Sequence, residues 1–96
     1  MKLVRIVKLT FKEEHIEEFK LLFKESEDKI RNFAGCNSMD GYQDQLSHCI
    51  FFTYSIWDSP ESLENYRKSI LFKDIWTVTR QYFSIPAEAW SLQRLD

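Results

Sequence analysis

Aromatic side chains are the residues whose types and spacing in this 96-residue chain best suit the binding of a flat organic molecule. They make up 16% of the sequence, which is high for so short a chain. The most prominent of them come from one predicted strand and from a later helical region: Tyr54, Trp57, Tyr66, Phe72, Trp76 and Phe83. Because such elements meet where helices cover a sheet, the pattern predicts an aromatic cluster between the two layers.

Two interpretations of this cluster lead to different functions. Core packing is favoured for Trp57 and Phe83, whereas for Tyr66 and Trp76 both core packing and the lining of a ligand cleft remain open. The latter two lie near the break in a helical pattern, and both carry polar atoms that need partners when buried. Arg5 lies on an otherwise apolar strand face, where it either supplies charge to the cleft or extends to solvent.

Several kinds of reactive site are excluded by composition and spacing. The chain has two glycines, too few for a glycine-rich phosphate loop. It has no Cys-x-x-Cys or His-x-x-x-His motif, so no dedicated metal site is expected. His15 lies among glutamates near a predicted helix start and His48 lies near a predicted turn, which predicts solvent exposure for both. Cys36 and Cys49 are predicted to be free thiols, because the hairpin places them about 20 Å apart along the strands.

Charge and hydropathy limit the partners and the location. The net charge is −2 and no basic block is present, which argues against nucleic acid and anionic membranes as partners. The longest apolar run is far shorter than a bilayer span. The N-terminus leads directly into strand-like sequence without a visible signal peptide, so a cytoplasmic protein is expected. The length predicts one domain over residues 1–96.

Hydrophobic periodicity predicts the order strand, helix, strand, strand, helix, strand. The predicted strands cover residues 2–11, 36–44, 48–57 and 87–95. The predicted helices cover 13–33 and 60–83, the second with Ser59 as its N-cap, a break at 69–71 and a stop at Pro86. Right-handed crossovers on this order give an α+β, ferredoxin-like βαββαβ fold, with a four-stranded antiparallel sheet and its helices on one face.

The third predicted strand is apolar on both of its faces. Phe52, Tyr54 and Ile56 share one face, and Phe51 and Trp57 share the other. A chain of this length has too few helices to cover both faces of the sheet. The second cover is most simply another copy of the same protein, so the strand predicts a homodimer.

Four segments carry a resemblance to a known family: FFTYSIW at 51–57, DSPESLENY at 58–66, SILFK at 69–73 and AEAW at 87–90. In order and spacing they resemble antibiotic biosynthesis monooxygenase-like domains, over residues 2–94. The resemblance implies a dimeric α/β barrel, in which ferredoxin-like protomers pair their sheets face to face. The family includes cofactor-free oxygenases of quinols and polyketide aromatics, haem-degrading oxygenases, an isomerase of a signalling sugar derivative, and many members without known activity.

The residues that distinguish these activities match unevenly. Haem-degrading members use an Asn on the first strand, a Trp on the second helix and a His that binds iron, and the matching positions hold Val7, Tyr66 and Trp76. Haem degradation is therefore disfavoured. Quinol-oxidising and isomerase members often carry a His on that helix and an acid on the third strand, where this chain has Tyr66, Leu71 and Ser55. A conventional general base is therefore missing.

The first hypothesis is a monooxygenase, acting on an electron-rich phenol or hydroquinone in an aromatic-lined cleft. Once deprotonated, such a substrate gives an electron to dioxygen itself, so no cofactor is expected. Trp76 and Phe72 would stack on the ring, Tyr66 and Tyr54 would form hydrogen bonds, and Arg5 would bind the phenolate.

The second hypothesis is a non-catalytic homodimer that binds a small apolar ligand or has only a structural role. It is favoured by the missing His and acid. An open cleft into which Tyr66 or Trp76 presents a polar atom would favour the enzyme, and a closed core would favour the second hypothesis.

Overall fold

A computed structural model describes residues 1–95 of the chain, and within them it confirms the predicted order of elements. The strands are β1 (Leu3–Thr10), β2 (Cys36–Gln43), β3 (Ile50–Trp57) and β4 (Glu88–Leu92), and the helices are α1 (Ile16–Arg31), preceded by a 3₁₀ turn (Glu13–His15), α2 (Pro60–Arg67) and α3 (Ile70–Arg80). The predicted domain limit at residue 96 lies outside the described residues.

The four strands form one antiparallel sheet in the order β2-β3-β1-β4. Leu9 of β1 pairs with Phe51 of β3, and both are buried against Phe19 of α1. At the other end of β3, Trp57 is buried against Tyr66 of α2. Helices therefore cover one face of the sheet, and the predicted ferredoxin-like α+β fold is confirmed.

Two buried clusters hold the helices on the sheet. One contains Leu9, Phe11, Ile16, Phe19 and Phe51, and the other contains Ile30, Met39, Trp57, Leu63 and Tyr66. The partly buried Phe23 packs against both clusters. The core is thus divided along the sheet, and space is left between its two halves.

The opposite face of the sheet is apolar and remains accessible to solvent. Register places eight apolar side chains on it: Val4, Ile6, Tyr42, Phe52, Tyr54, Ile56, Trp90 and Leu92. We call this surface the open face. Its largest members are well exposed, Tyr54 at 36%, Trp90 at 42% and Leu92 at 43%. The third strand is therefore apolar on both faces, as its sequence indicates, and helices cover only one of them.

Several element boundaries differ from the prediction. The first helix was expected from residue 13, but its first turn is a 3₁₀ turn, and α1 ends at Arg31 before Gly35, which adopts a left-handed conformation with φ of 88°. The last strand ends at Leu92, three residues before its predicted end. The other three strands are each one or two residues shorter than predicted. Cys36 and Cys49 are both free and partly buried.

The end of the second helical region was predicted wrongly. Pro86 was expected to stop the helix after residue 83, but α3 ends at Arg80. The chain turns away earlier because Phe83 forms a bridge to Phe11 and the Ser84 amide donates to the Thr10 carbonyl over 3.0 Å. Backbone pairing with the end of β1 therefore replaces the last helical turn.

The predicted break between the two helical segments lies at Ser69. Its hydroxyl accepts a hydrogen bond from the Phe72 amide (3.1 Å) and donates one to the Tyr66 carbonyl (2.6 Å). The first contact caps α3, which therefore begins at Ile70 rather than at the predicted Phe72. The second contact ties that cap to the end of α2, so one serine fixes the angle between the two helices.

We expect Ser69→Ala to lower the free energy of unfolding by about 1 kcal/mol, because it leaves the first turn of α3 without its cap. In a domain of this size the melting temperature should fall by about 4–8 °C for each kcal/mol. Thermal unfolding followed by circular dichroism measures this shift. Ser47→Ala is the matched control, since Ser47 is exposed and its hydroxyl forms no hydrogen bond within residues 1–95. Equal melting temperatures for the two variants would show that the cap is not needed.

Candidate functional site

A cavity of about 410 Å³ lies between the sheet and the helices, where the two core clusters separate. Its floor is formed by strand residues, which include Arg5, Val7, Thr53 and Ser55. Its roof is formed by residues of α2 and α3, which include Tyr66, Phe72, Trp76 and Thr79. The volume falls within the range of sites that bind small organic molecules, and the lining is mainly apolar.

The structure brings four of the five predicted binding residues to this cavity. Arg5 rises from the middle of β1, Tyr66 comes from the last turn of α2, and Phe72 and Trp76 come from successive turns of α3. These four were predicted from residue type and from the helix break. All four side chains contribute to the lining of one cavity, and their role in ligand binding is a proposal.

Tyr54 is the exception, and its predicted place in the cleft is wrong. It pairs with Ile6 and Asp40 on the open face of the sheet and is absent from the cavity lining. Side chains alternate along a strand, so Thr53 and Ser55 point to the helices and Tyr54 points away. The odd spacing between Tyr54 and the buried Trp57 carries this information in the sequence.

Trp57 lies at the floor of the cavity and is fully buried, with 0% exposure. Its indole N–H donates to the Ser55 hydroxyl over 3.0 Å, so the polar atom of this core residue is satisfied. Phe83 is half-buried and stacks on Phe11 with ring centroids 5.3 Å apart, outside the cavity. The predicted packing of Trp57 and Phe83 in the core is confirmed, although Trp57 also contributes to the cavity wall.

The aromatic rings form a continuous wall along the cavity. Tyr66 stacks on Trp57 with centroids 5.0 Å apart, and Phe72 meets Tyr66 edge to face at 5.2 Å. Trp76 continues the wall, stacked on Phe72 at 5.7 Å and 12° between planes. Such a wall offers both faces and edges of rings to a flat ligand, which are the preferred geometries of aromatic contact.

The Tyr66 hydroxyl is the polar group of this wall that has no partner. The residue is only 7% exposed, and its hydroxyl makes no hydrogen bond within the described residues. No fully buried side-chain polar atom of residues 1–95 lacks a partner, so this oxygen is not completely enclosed by the protein, and Tyr66 itself belongs to the cavity lining. Burial raises the pKa of Tyr66, and the nearby Cys36 raises it further. The hydroxyl is therefore protonated at neutral pH and available as a donor.

Arg5 supplies positive charge to the same cavity. The side chain is half-buried and Nη1 donates to the Ser91 hydroxyl over 2.8 Å, which fixes one arm of the guanidinium. Desolvation by burial lowers the pKa of Arg5, and Arg67 lowers it further, while Glu64 opposes the shift. Since an arginine side chain stays protonated in proteins, the group remains a cation with donors to spare.

Sequence reasoning missed several polar residues of the lining: Thr53, Ser55, Arg67, Thr79 and Arg80. Thr53 and Ser55 lie at two-residue steps from Trp57 on β3, so the sequence alone indicates that they share its face of the sheet. The helical residues could be found only by knowing how α2 and α3 cross the sheet. The Thr79 hydroxyl donates to the Ile75 carbonyl over 2.8 Å, so its proton is already engaged.

No histidine or carboxylate lines the cavity in the part of the chain that the structure describes. His48 is exposed beside Glu13, in agreement with the prediction, whereas His15 is partly buried, stacked on Tyr82 and bonded to Glu18. Residues 1–95 also contain no group of three or more potential metal ligands. No helix in this range has the length and apolar character needed to cross a membrane.

Comparisons with known proteins agree with the observed fold and with the family resemblance of the sequence. A model of the antibiotic biosynthesis monooxygenase family matches residues 3–77. The solved structure of Rv0793 from Mycobacterium tuberculosis is 17% identical and superposes with a TM-score of 0.91, covering 100% of this chain and 97% of that one. A search of curated proteins found no match.

Two further solved structures are equally similar in fold. A conserved protein from Methanosarcina mazei Go1 is 21% identical with a TM-score of 0.93, over 99% of this chain and 94% of that chain. A structure described as an antibiotic biosynthesis monooxygenase is 18% identical with a TM-score of 0.92, over 98% and 99% of the two chains. At these identities the superpositions support the fold alone.

Replacing Trp76 by alanine tests whether the cavity is a true opening in the core. A large aromatic residue packed on all sides typically costs about 3–5 kcal/mol when truncated, and we expect this for the fully buried Phe11→Ala. Trp76 is half-buried and faces the cavity on one side, so Trp76→Ala should cost clearly less. Urea unfolding of the two variants measures the difference. An equal loss for both would mean that the cavity closes around Trp76 in solution.

Proposed function

The chain belongs to the antibiotic biosynthesis monooxygenase family, and from that premise we propose that it oxidises an electron-rich aromatic compound, a phenol or hydroquinone, with dioxygen. The observation that carries this proposal is an aromatic cavity that holds a guanidinium and is lined by Tyr66, whose hydroxyl has no hydrogen-bond partner within residues 1–95. A flat ring with an oxygen substituent complements both features. The open cavity is the feature that favours the enzyme over a closed structural core.

Each lining residue has a distinct part in this proposal. The ring of the substrate packs against Phe72 and Trp76, which already stack on each other. The Tyr66 hydroxyl donates a hydrogen bond to a ring oxygen. Arg5 stabilises that oxygen as a phenolate, since a charge-assisted hydrogen bond in a half-buried site is worth more than one in water.

The chemistry draws its electrons from the substrate. The phenolate gives one electron to dioxygen, and the resulting superoxide combines with the ring radical at a carbon that carries hydrogen. The peroxide formed takes up a proton, its O–O bond breaks, and water leaves as the carbon becomes a carbonyl. For a hydroquinone the balance is one hydroquinone and one dioxygen giving one hydroxyquinone and one water, so one oxygen atom enters the ring and the other is reduced to water.

Proton movement follows from what the cavity contains. Neither imidazole nor carboxylate faces the substrate within the described residues, so the phenol loses its proton to water as the phenolate binds to Arg5. The positive charge of Arg5 lowers the pKa of the bound phenol, because it favours the charged form. The aromatic wall then excludes water from the radical pair and the peroxide.

A second candidate is ligand binding without turnover, and one observation favours it. A general base usually contributes about 10²–10⁴-fold to rate, and none is present in the described lining. The same cavity, wall and guanidinium would still hold an aromatic ligand. The two functions differ in whether dioxygen is consumed.

We also propose that the protein is a homodimer whose sheets pair through the open face. Four large apolar side chains there are more than a third exposed in the single chain, which is costly over a continuous surface. The family resemblance implies this face-to-face pairing. The open face and the cavity lie on opposite sides of the sheet, so dimerisation would leave the lining of the cavity unchanged.

Oxygen uptake tests the proposed reaction. We expect the protein to accelerate oxygen consumption by methylhydroquinone or 1,4-dihydroxynaphthalene, measured against autoxidation, with one atom of ¹⁸O from ¹⁸O₂ in the product quinone. Tyr66→Phe should slow the reaction by about tenfold with little change in melting temperature, because the lost hydroxyl leaves no protein group unpaired. Tyr82→Phe, outside the cavity, is the matched control. Binding without oxygen uptake would leave the second candidate as the function.

The dimer is tested by light scattering after size exclusion. We expect a mass of twice the 11.6 kDa chain at micromolar concentration. Trp90→Glu should produce monomers, because it places a charge in the proposed apolar interface. The fold should lose little stability, since the Trp90 side chain is exposed in the single chain. Leu46→Glu, at a residue 96% exposed and away from the open face, should leave the dimer intact. A monomeric wild-type protein would refute the proposed pairing.

A further inference from the structure

Positive charge is concentrated in the lining of the cavity. Three arginines contribute to it, Arg5, Arg67 and Arg80, and no aspartate or glutamate does so within residues 1–95. The whole chain, in contrast, has a net charge of −2. One cation is enough to stabilise the phenolate of a neutral hydroquinone, so three arginines in the lining point to a ligand with further negative charge of its own.

Two of these arginines line the cavity where α2 covers the sheet. Arg67 is the last residue of α2 and Arg5 lies on β1, and both contribute to the cavity lining. The pKa of Arg5 is lowered by desolvation on burial and, to a smaller extent, by the charge of Arg67. Arg67 Nη1 approaches Glu64 Oε2 at 3.6 Å, and both side chains are about half exposed. Two guanidinium groups and one carboxylate leave one net positive charge at this end.

The guanidinium of Arg5 also has unused hydrogen-bonding capacity. It carries five N–H donors, and the structure engages one nitrogen, Nη1, with the Ser91 hydroxyl. Because the side chain is half-buried, the remaining donors that face the cavity are only partly hydrated. An anionic oxygen group on a ligand would accept hydrogen bonds from these donors, and a planar carboxylate matches the fork geometry of the guanidinium.

Arg80 lies at the other end of the roof. It is the last residue of α3, which has 11 residues and is therefore about 16 Å long, whereas Arg67 precedes that helix. Arg80 is exposed and forms no ion pair within the described residues. Its position suits the attraction of an anion to the opening rather than the fixing of one beside Arg5.

We propose that the ligand of this cavity is an aromatic carboxylic acid, whose ring packs along the Trp76 wall and whose carboxylate is bound between Arg5 and Arg67. The single net charge at that end matches a monoanion rather than a dianionic phosphate. The inference rests on the proposed function for the placement of the ring, and it narrows the substrate class to phenols or hydroquinones that carry a carboxylate. The reaction that supplies this substrate must therefore yield a hydroxylated aromatic acid.

Isothermal titration calorimetry with two inert probes tests the proposal. The probes are 2-naphthoate and 2-naphthalenemethanol, which share a ring system and differ in charge, and neither is oxidised under the conditions. We expect the wild-type protein to bind 2-naphthoate at least tenfold more tightly than the alcohol. Arg5→Met should remove most of this preference and Arg67→Met should reduce it, while affinity for the alcohol changes little.

Lys68→Met is the matched control, because it removes the same charge one residue from Arg67 at an exposed position outside the cavity lining. It should keep the preference, which separates a specific contact from a general field effect. Arg5→Lys should retain part of the preference through charge alone. Circular dichroism establishes that each variant is folded, and if Arg5→Met does not fold, the half-exposed Arg67 still gives the answer.

Three results would overturn the proposal. They are equal affinity of the wild-type protein for both probes, failure to bind either probe, and tighter binding of 2-naphthyl phosphate than of 2-naphthoate. Equal loss of the preference in the Lys68 and Arg67 variants would also contradict it. None of these results depends on turnover, so oxygen uptake with neutral hydroquinones would still support the proposed function when the carboxylate site is refuted.

Discussion

The packing of α2 on the end of β3 is the contact on which the rest of the structure depends. Trp57 is fully buried there, its indole is fixed by the Ser55 hydroxyl, and Tyr66 stacks on its ring. That stack anchors the last turn of α2, and the Ser69 cap sets the direction in which α3 leaves it. Because α3 starts from a fixed point and reaches the opposite cluster only through Trp76, the layer between helix and sheet is left partly unfilled. The cavity is therefore a consequence of how two separate clusters hold one helical layer.

The two faces of the sheet have different roles, because side chains alternate between them along each strand. Alternate residues of each strand, such as Arg5 and Val7, pack against the helices and form the cavity floor. The residues between them form the open face. The proposed dimer uses only the second set and the proposed chemistry only the first. A change at Trp90 and a change at Ser55 therefore act on different properties, although the two residues lie on strands of the same sheet. This separation lets one short chain combine an interface with a ligand site.

Electrostatics distinguish this cavity from an ordinary gap in a core. The wall is apolar, yet the floor and rim carry guanidinium groups that are not balanced by acids within the described lining. Burying part of a cation is unfavourable unless partners compensate for the lost water, and within the described residues the Arg5 side chain has one hydrogen bond, to the Ser91 hydroxyl, and the favourable charge of Glu64. An anionic ligand would relieve this cost, and the Tyr66 hydroxyl would add a directed donor beside it. The partly desolvated guanidinium, which is unfavourable in the empty cavity, would make binding specific for an anionic ligand.

The sequence by itself determined the order of elements, the helix break at 69–71 and the two-sided apolar character of β3, because these depend on local periodicity and on residue type. It also identified Arg5, Tyr66, Phe72 and Trp76 as a set, since residues near a helix break and on the facing strand must come together in this topology. It misplaced Tyr54, although the alternation along β3 contained the answer, and it expected Pro86 to end a helix that pairing of Phe83 with Phe11 ends earlier. Only the tertiary structure decided that Tyr66 keeps a hydroxyl without a partner within residues 1–95 and that Arg67 and Arg5 line the same cavity. Both depend on the angle at which α2 and α3 cross the sheet, which is set by contacts between residues far apart in the chain and not by any local pattern.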